Sequence, residues 1–270
     1  MTQNFQMEAT HHNPVIVVVL PIGISMVWKP QPGGKLSDIL ESAADDSHAE
    51  RYEDALQKFL WFHEASRSDP RMGGVRLSFA LGYWMDLSSQ YPPALVAFTK
   101  LRDDMTQRCR DNHGDFESFH DVYSLNKYLG DGRRTTELFM EIAAEYPDNA
   151  NRLYHVAEET LVADGMYRQC APFLEWKQRV ETSISSYKIS LRHEESWENS
   201  ELTLPKFARR HFETEADTLV ALLSLNGRRG EAEQVRDRCL AFLDDATFRD
   251  TLEFALAGHL PVDKDRGTMP

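Results

Sequence analysis

A histidine beside a carboxylate is the first pattern in this 270-residue chain that could move a proton: His120-Asp121, with Lys127 further along the same segment. An imidazole titrates near neutral pH, and a neighbouring carboxylate could hold it for acid–base work. Adjacent residues of a helix point about 100° apart, however, so this pair does not share a face and an ordinary surface pair is the expectation. His155 and Glu159 stand four apart, the spacing that sets two metal ligands on one helical face, but no third ligand accompanies them. The chain contains no G-x-x-x-x-G-K-[ST], G-x-S-x-G or G-x-G-x-x-G string. Phosphate cradles and nucleophile elbows therefore lack support, and neither a metal, a cofactor nor an enzymatic activity is expected.

Cys109, Cys170 and Cys239 form no C-x-x-C pair, and an odd number cannot all be bridged within one chain. Cys170 and Cys239 fall at helix-interior positions where a free thiol acts as a compact hydrophobe. Reduced thiols in the cytoplasm are the simplest reading. Lys plus Arg is 30 against 43 for Asp plus Glu, a net charge of −13. Such a chain repels a phosphate backbone, so nucleic acid is disfavoured and a basic protein or peptide is the partner the charge would favour. Acidity that merely keeps the protein soluble is the competing reading. The hydrophobic share of 41% suffices for a buried core.

The elements that must position these residues are helical. Tyr52-x-x-Ala55-x-x-x-Phe59-x-x-Phe62 recurs as Tyr91-x-x-Ala94-x-x-x-Phe98-x-x-Leu101 and as Gly132-x-x-Thr135-x-x-x-Phe139-x-x-Ile142, and in part as Tyr167-x-x-Cys170-x-x-x-Leu174. Each string is a helix whose small residue lets the preceding helix pack closely, so the chain reads as stacked helical hairpins. The periodicity predicts helices over 36–43, 50–65, 75–87, 92–109, 116–129, 133–145, 150–163, 167–183, 207–225, 231–243 and 248–256. Residues 184–205, Ser-rich and charged, read as the least regular stretch, and 261–270 as a mobile tail.

Residues 1–35 differ in character from the rest of the chain. Val15-Ile16-Val17-Val18-Val19-Leu20 is β-branched, Pro21 and Gly23 interrupt it, and Pro30, Pro32, Gly33 and Gly34 make a hinge. The apolar run to Trp28 is too short to span a bilayer, and no Lys or Arg precedes Lys29 as a secretory signal requires. An edge strand or an extended arm is expected there, with Met26 as a possible natural start.

Gly82 followed by Tyr91, Ala94, Phe98 and Leu101, and Pro147 followed by the Asn149/Ala150 boundary and Ala157, carry a resemblance to the tetratricopeptide repeat. That family stacks a 34-residue helix–turn–helix unit. Here the small residues Ala55, Ala94, Thr135, Cys170 and Ala232 are 39, 41, 35 and 62 residues apart, so the resemblance is to a degenerate array with loop insertions. Trp61-Phe62-His63, Gly74 to Leu81 and Tyr91-Pro92-Pro93-Ala94-Leu95 are similar to a group of bacterial repeat proteins without an assigned activity. Their chains begin near the equivalent of Val27-Trp28-Lys29-Pro30. The implied fold is an all-α, TPR-like superhelix of hairpins over 36–260, with the short arm 1–35 in front.

In such stacks the first helix of each pair lines the concave groove. The resemblance thus implies a peptide-binding face made of Arg76, Phe79, Tyr83 and Asp86, then Glu117, His120, Ser124 and Lys127, then Asn151, Tyr154 and Glu158. Mixed polar and aromatic character suits recognition of a protein segment. An ordinary solvated face is the competing reading, and the two-Lys, two-Asn, Arg clamp used by some relatives for a terminal carboxylate is absent as a set. The expected function is a non-catalytic adaptor or scaffold without nucleic-acid or membrane partners, able to self-associate. The alternative is an enzyme or regulator with its site in a cleft of the array.

Overall fold

The computed structural model describes residues 28–31, 33–197 and 207–261, and the described residues are predominantly helical, with no strand among them. The expected strand at 15–20 and the tail beyond Pro261 lie outside the described residues. In order the helices are α1 (Leu36–His48), α2 (Tyr52–Ala65), α3 (Gly73–Leu77), α4 (Phe79–Gln90), α5 (Pro92–Asp111), α6 (Phe116–Leu129), α7 (Gly132–Glu145), α8 (Pro147–Ala163), α9 (Tyr167–Cys170), α10 (Trp176–Trp197), α11 (Phe207–Leu225), α12 (Arg229–Phe242) and α13 (Ala246–Leu256). Contacts divide the chain into two compact units, Met1–Asp104 and Met105–Pro270, and the division falls inside α5.

In the first unit α2 packs between α1 and α4. Ala55, Phe59 and Phe62 of α2 are buried, as are Leu81, Trp84 and Leu87 of α4. The Trp84 ring lies 6.2 Å from Phe59 and 5.4 Å from Phe98 of α5, and its indole N–H donates to the Ala94 carbonyl at 3.0 Å. Ala94 is wholly buried. Any larger side chain at that position would have to displace its packed neighbours, which explains the small residue in the repeated string. Trp28, at the start of the described chain, meets Trp61 edge-on at 6.0 Å, with the Lys58 ammonium 5.7 Å from its ring.

The expected helix over 75–87 is instead two pieces. Ser78 leaves helical geometry (φ −131°, ψ −87°) while its hydroxyl donates 2.6 Å to the Gly74 carbonyl. A serine that bonds back to its own backbone competes with the helix, and the Gly73-Gly74 entry adds little propensity to resist it.

In the second unit α6, α7 and α8 pack together, and α11 packs against α10, α12 and α13. The predicted single helix over 167–183 is also broken. Pro172 lacks an amide donor, and α9 gives way to a 3-10 turn over Ala171–Phe173 before α10 begins. α10 then continues to Trp197, through much of what the sequence reading left irregular. Ser185, Ser186, Lys188 and Arg192 lie on its solvated side, while Val180, Ile184 and Tyr187 share one face. Tyr187 lies 5.5 Å from both Phe212 and Phe242. α8 starts at Pro147 rather than Ala150, because proline suits the first helical position.

One turn recurs along the chain, at the α5–α6 junction and at four hairpins. A residue with left-handed backbone (Glu50, Gly130, Gly165, Gly227) is followed by an amide that reaches five residues back: Arg51 to Asp46 at 2.8 Å, Asp131 to Asn126 at 2.9 Å, Met166 to Leu161 at 2.9 Å and Arg228 to Leu223 at 2.9 Å. This closes the last carbonyls of the first helix and reverses the chain. Each time the buried small residue of the next helix stands five positions after the left-handed one: Ala55, Thr135, Cys170 and Ala232. At the second hairpin the approach is close enough for the Asn126 side-chain amide to donate 3.0 Å to the Thr135 hydroxyl, both residues being wholly buried.

Candidate functional site

The residues expected to line one groove separate into open and closed sets. On α4, Phe79 is 66% and Tyr83 42% exposed and Asp86 is exposed, one stripe at helical spacing. Arg76, on the preceding short helix, is buried. In the second unit Glu117, Lys127 and Asn151 are exposed and His120 is half-buried, but Ser124, Tyr154 and Glu158 are buried. Arg76, Ser124, Tyr154 and Glu158 therefore do not look outward, contrary to the sequence reading. On α8 the error is one position: His155 and Glu159 are exposed where Tyr154 and Glu158 were expected. A one-residue slip turns a helix by about 100°, enough to exchange a solvent face for a core face.

The corrected positions assemble a surface on α6 and α8. The Phe116 ring stacks on His155 at 5.5 Å with 16° between planes, and lies 5.5 Å from His120. His120 is 6.3 Å from Tyr123, whose hydroxyl donates to the Glu159 carboxylate. The Lys127 ammonium reaches the same carboxylate and the Tyr123 hydroxyl at 3.4 Å each. Burial and the adjacent Glu159 both push the Tyr123 phenol above its ordinary value, so it stays a donor. Among the described residues no group of three or more His, Cys, Asp or Glu side chains is placed to hold a metal ion. Asp121 is wholly buried, so the surface pair expected of His120-Asp121 does not lie at the surface.

The buried Tyr154 and Glu158 serve packing. Tyr154 stacks on Phe173 at 4.9 Å. The Arg179 guanidinium of α10 grips the Glu158 carboxylate through two nitrogens, at 2.5 and 2.7 Å, and reaches Glu215 of α11 at 3.0 Å. One cation thus ties three helices across the break at Pro172. Burial, then the Glu158 charge, push the Tyr154 phenol far up, so it remains neutral. The cavity beside Arg179 measures about 10 Å³, room for about one water.

Three thiols and one carboxyl are also buried. Burial pushes the Cys109 and Cys239 thiols up to about 12 and Cys170 to about 11, so none supplies a thiolate near neutral pH. All three are free and buried. Asp217 of α11 is 7% exposed, and burial raises it to about 7. The Thr251 hydroxyl of α13 lies 3.1 Å from its carboxylate and 3.0 Å from the Phe248 carbonyl. That hydroxyl has one proton for two acceptors, so the ionised Asp217 competes with the Phe248 carbonyl for it.

Among the described residues no helix is long and apolar enough to cross a membrane. No protein-family model, no curated protein and no solved structure matches the chain.

Proposed function

We propose that this chain is a non-catalytic, TPR-like interaction module that binds a protein segment. The recurrent turn with its buried small residue five positions on supports the repeat reading, because one local device builds four hairpins. The observation that carries the function is the surface of Phe116, His120, Tyr123, Lys127, His155 and Glu159. It lies on α6 and α8, the first helices of successive hairpins. Phe116 stacks on His155, His120 and Tyr123 lie tilted beside them, and the Tyr123, Lys127 and Glu159 tips are hydrogen-bonded, so little ordering is left to be done on binding. Half-exposed aromatics with hydrogen-bonding edges are the usual anchors of recognition surfaces. The net charge of −13 favours a basic partner over a polyanion. Three buried free thiols support a reducing, cytoplasmic setting.

The test is affinity capture from the native cell with the wild type and with a Phe116→Ala, His155→Ala double variant. A partner retained by the wild type and lost from the variant, with the helical circular dichroism intact, is the expected outcome. Equal retention by both would place the binding surface elsewhere. Capture of no specific protein would overturn the adaptor reading.

A further inference from the structure

At the far ends of α5 and α7 the second unit has an open cleft of about 190 Å³, lined by Arg110, Gly114, Glu141, Ile142, Glu145 and Tyr146. Unlike the one-water space beside Arg179, it has room for a side chain. Its floor is built tightly. Gly114 has φ +81°, and a Cβ there would stand 2.7 Å from Ile142 Cγ2, so only glycine fits. Its aromatic wall is held in place: the Tyr146 ring lies against His113 at 4.6 Å, tilted by 35°, and the Asn149 amide donates 2.7 Å to the His113 carbonyl.

The charges in the cleft are unequal. The Arg110 guanidinium donates to both Glu141 oxygens, at 2.8 and 3.1 Å, so these two groups neutralise each other. Glu145 is exposed and belongs to none of the ion pairs among the described residues. One unneutralised carboxylate therefore stands beside an aromatic ring, where two helices end.

We infer that this cleft receives an arginine side chain of a partner protein segment, its guanidinium paired with Glu145 and laid against the Tyr146 ring. Arginine suits the place better than lysine, because a planar guanidinium can meet a carboxylate through two N–H groups while stacking on an aromatic face. The cleft uses second helices of the hairpins, so it stands or falls separately from the α6–α8 surface.

The probe is the peptide acetyl-Gly-Arg-Gly-amide, added at millimolar concentration to the ¹⁵N-labelled full chain and followed by two-dimensional NMR. Saturable shifts of the Gly114, Glu145 and Tyr146 amides are expected. The same peptide with citrulline, the uncharged isostere of arginine, should produce none. Glu145→Gln should weaken the arginine peptide about tenfold, the loss typical of a charge-assisted contact. Because Glu145 is exposed, that variant should keep the wild-type melting curve. The inference is overturned by shifts scattered over the acidic surface without those three amides, by equal binding of the citrulline peptide, or by unchanged affinity in Glu145→Gln.

Discussion

Asp217→Asn should make this protein more stable above neutral pH and leave it nearly unchanged in acid. The carboxyl is 7% exposed and is raised by burial, and then by nearby Glu213, from an ordinary 3.8 to about 7. The Thr251 hydroxyl works against that rise, though not enough to reverse it. A carboxyl whose folded value lies above its unfolded one favours folding in its neutral form. Its contribution is complete below the unfolded value and is lost as pH rises through the folded one. Each pH unit of that interval is worth about 1.4 kcal/mol, so between pH 5 and pH 8 the wild type should lose about 2–3 kcal/mol from this group alone. Asparagine cannot ionise, yet its amide can donate to the Thr251 oxygen while that hydroxyl keeps the Phe248 carbonyl. Urea unfolding of both proteins at the two pH values measures the difference directly. The variant's advantage should grow by about 2–3 kcal/mol from pH 5 to pH 8. A pH-independent difference would show that Asp217 is not held neutral by the α11–α13 packing, and that the single-proton account of Thr251 is wrong.

Arg179→Met should cost about 3 kcal/mol, because it leaves Glu158 and Glu215 facing each other without their cation. Adding Glu158→Gln should recover part of that loss in the same denaturant titration, and a single variant as stable as the wild type would remove Arg179 as the tie between α8, α10 and α11. Ala94→Leu should cost about 1–3 kcal/mol by overfilling the wholly buried site beneath the Trp84 indole. A neutral result in thermal unfolding would refute the small-residue register on which the repeat reading depends.

The hairpins were legible because their signals are local. Gly130, Gly165 and Gly227 mark left-handed turns that few other residues tolerate, and the small residue five positions later reports the close helix approach wherever it occurs. Helix ends near Leu129, Ala163 and Leu225 followed from the same punctuation, and the end near Glu145 from Pro147. The breaks at Ser78 and Pro172 were less visible. Proline is tolerated at helix starts, and a serine inside a periodic apolar run reads as one more solvated position until its hydroxyl turns back on the chain.

The faces of the helices were decided by tertiary packing. Residues 154 and 155 differ by about 100° around α8, and both suit a recognition surface by type. Only the neighbours settle the matter: Phe173 and Arg179 cover Tyr154 and Glu158, while Phe116 and Lys127 meet His155 and Glu159 in the open. The Glu158–Arg179–Glu215 tie and the Asp217–Thr251 contact likewise join residues 21 to 36 positions apart. Helical class, hairpin turns and small-residue register were thus determined by the sequence itself, since each rests on interactions within a few residues. The choice between core face and solvent face, and with it the candidate binding surface and the cleft beside Glu145 and Tyr146, belonged to the tertiary structure, because burial depends on which distant helix arrives to cover a side chain.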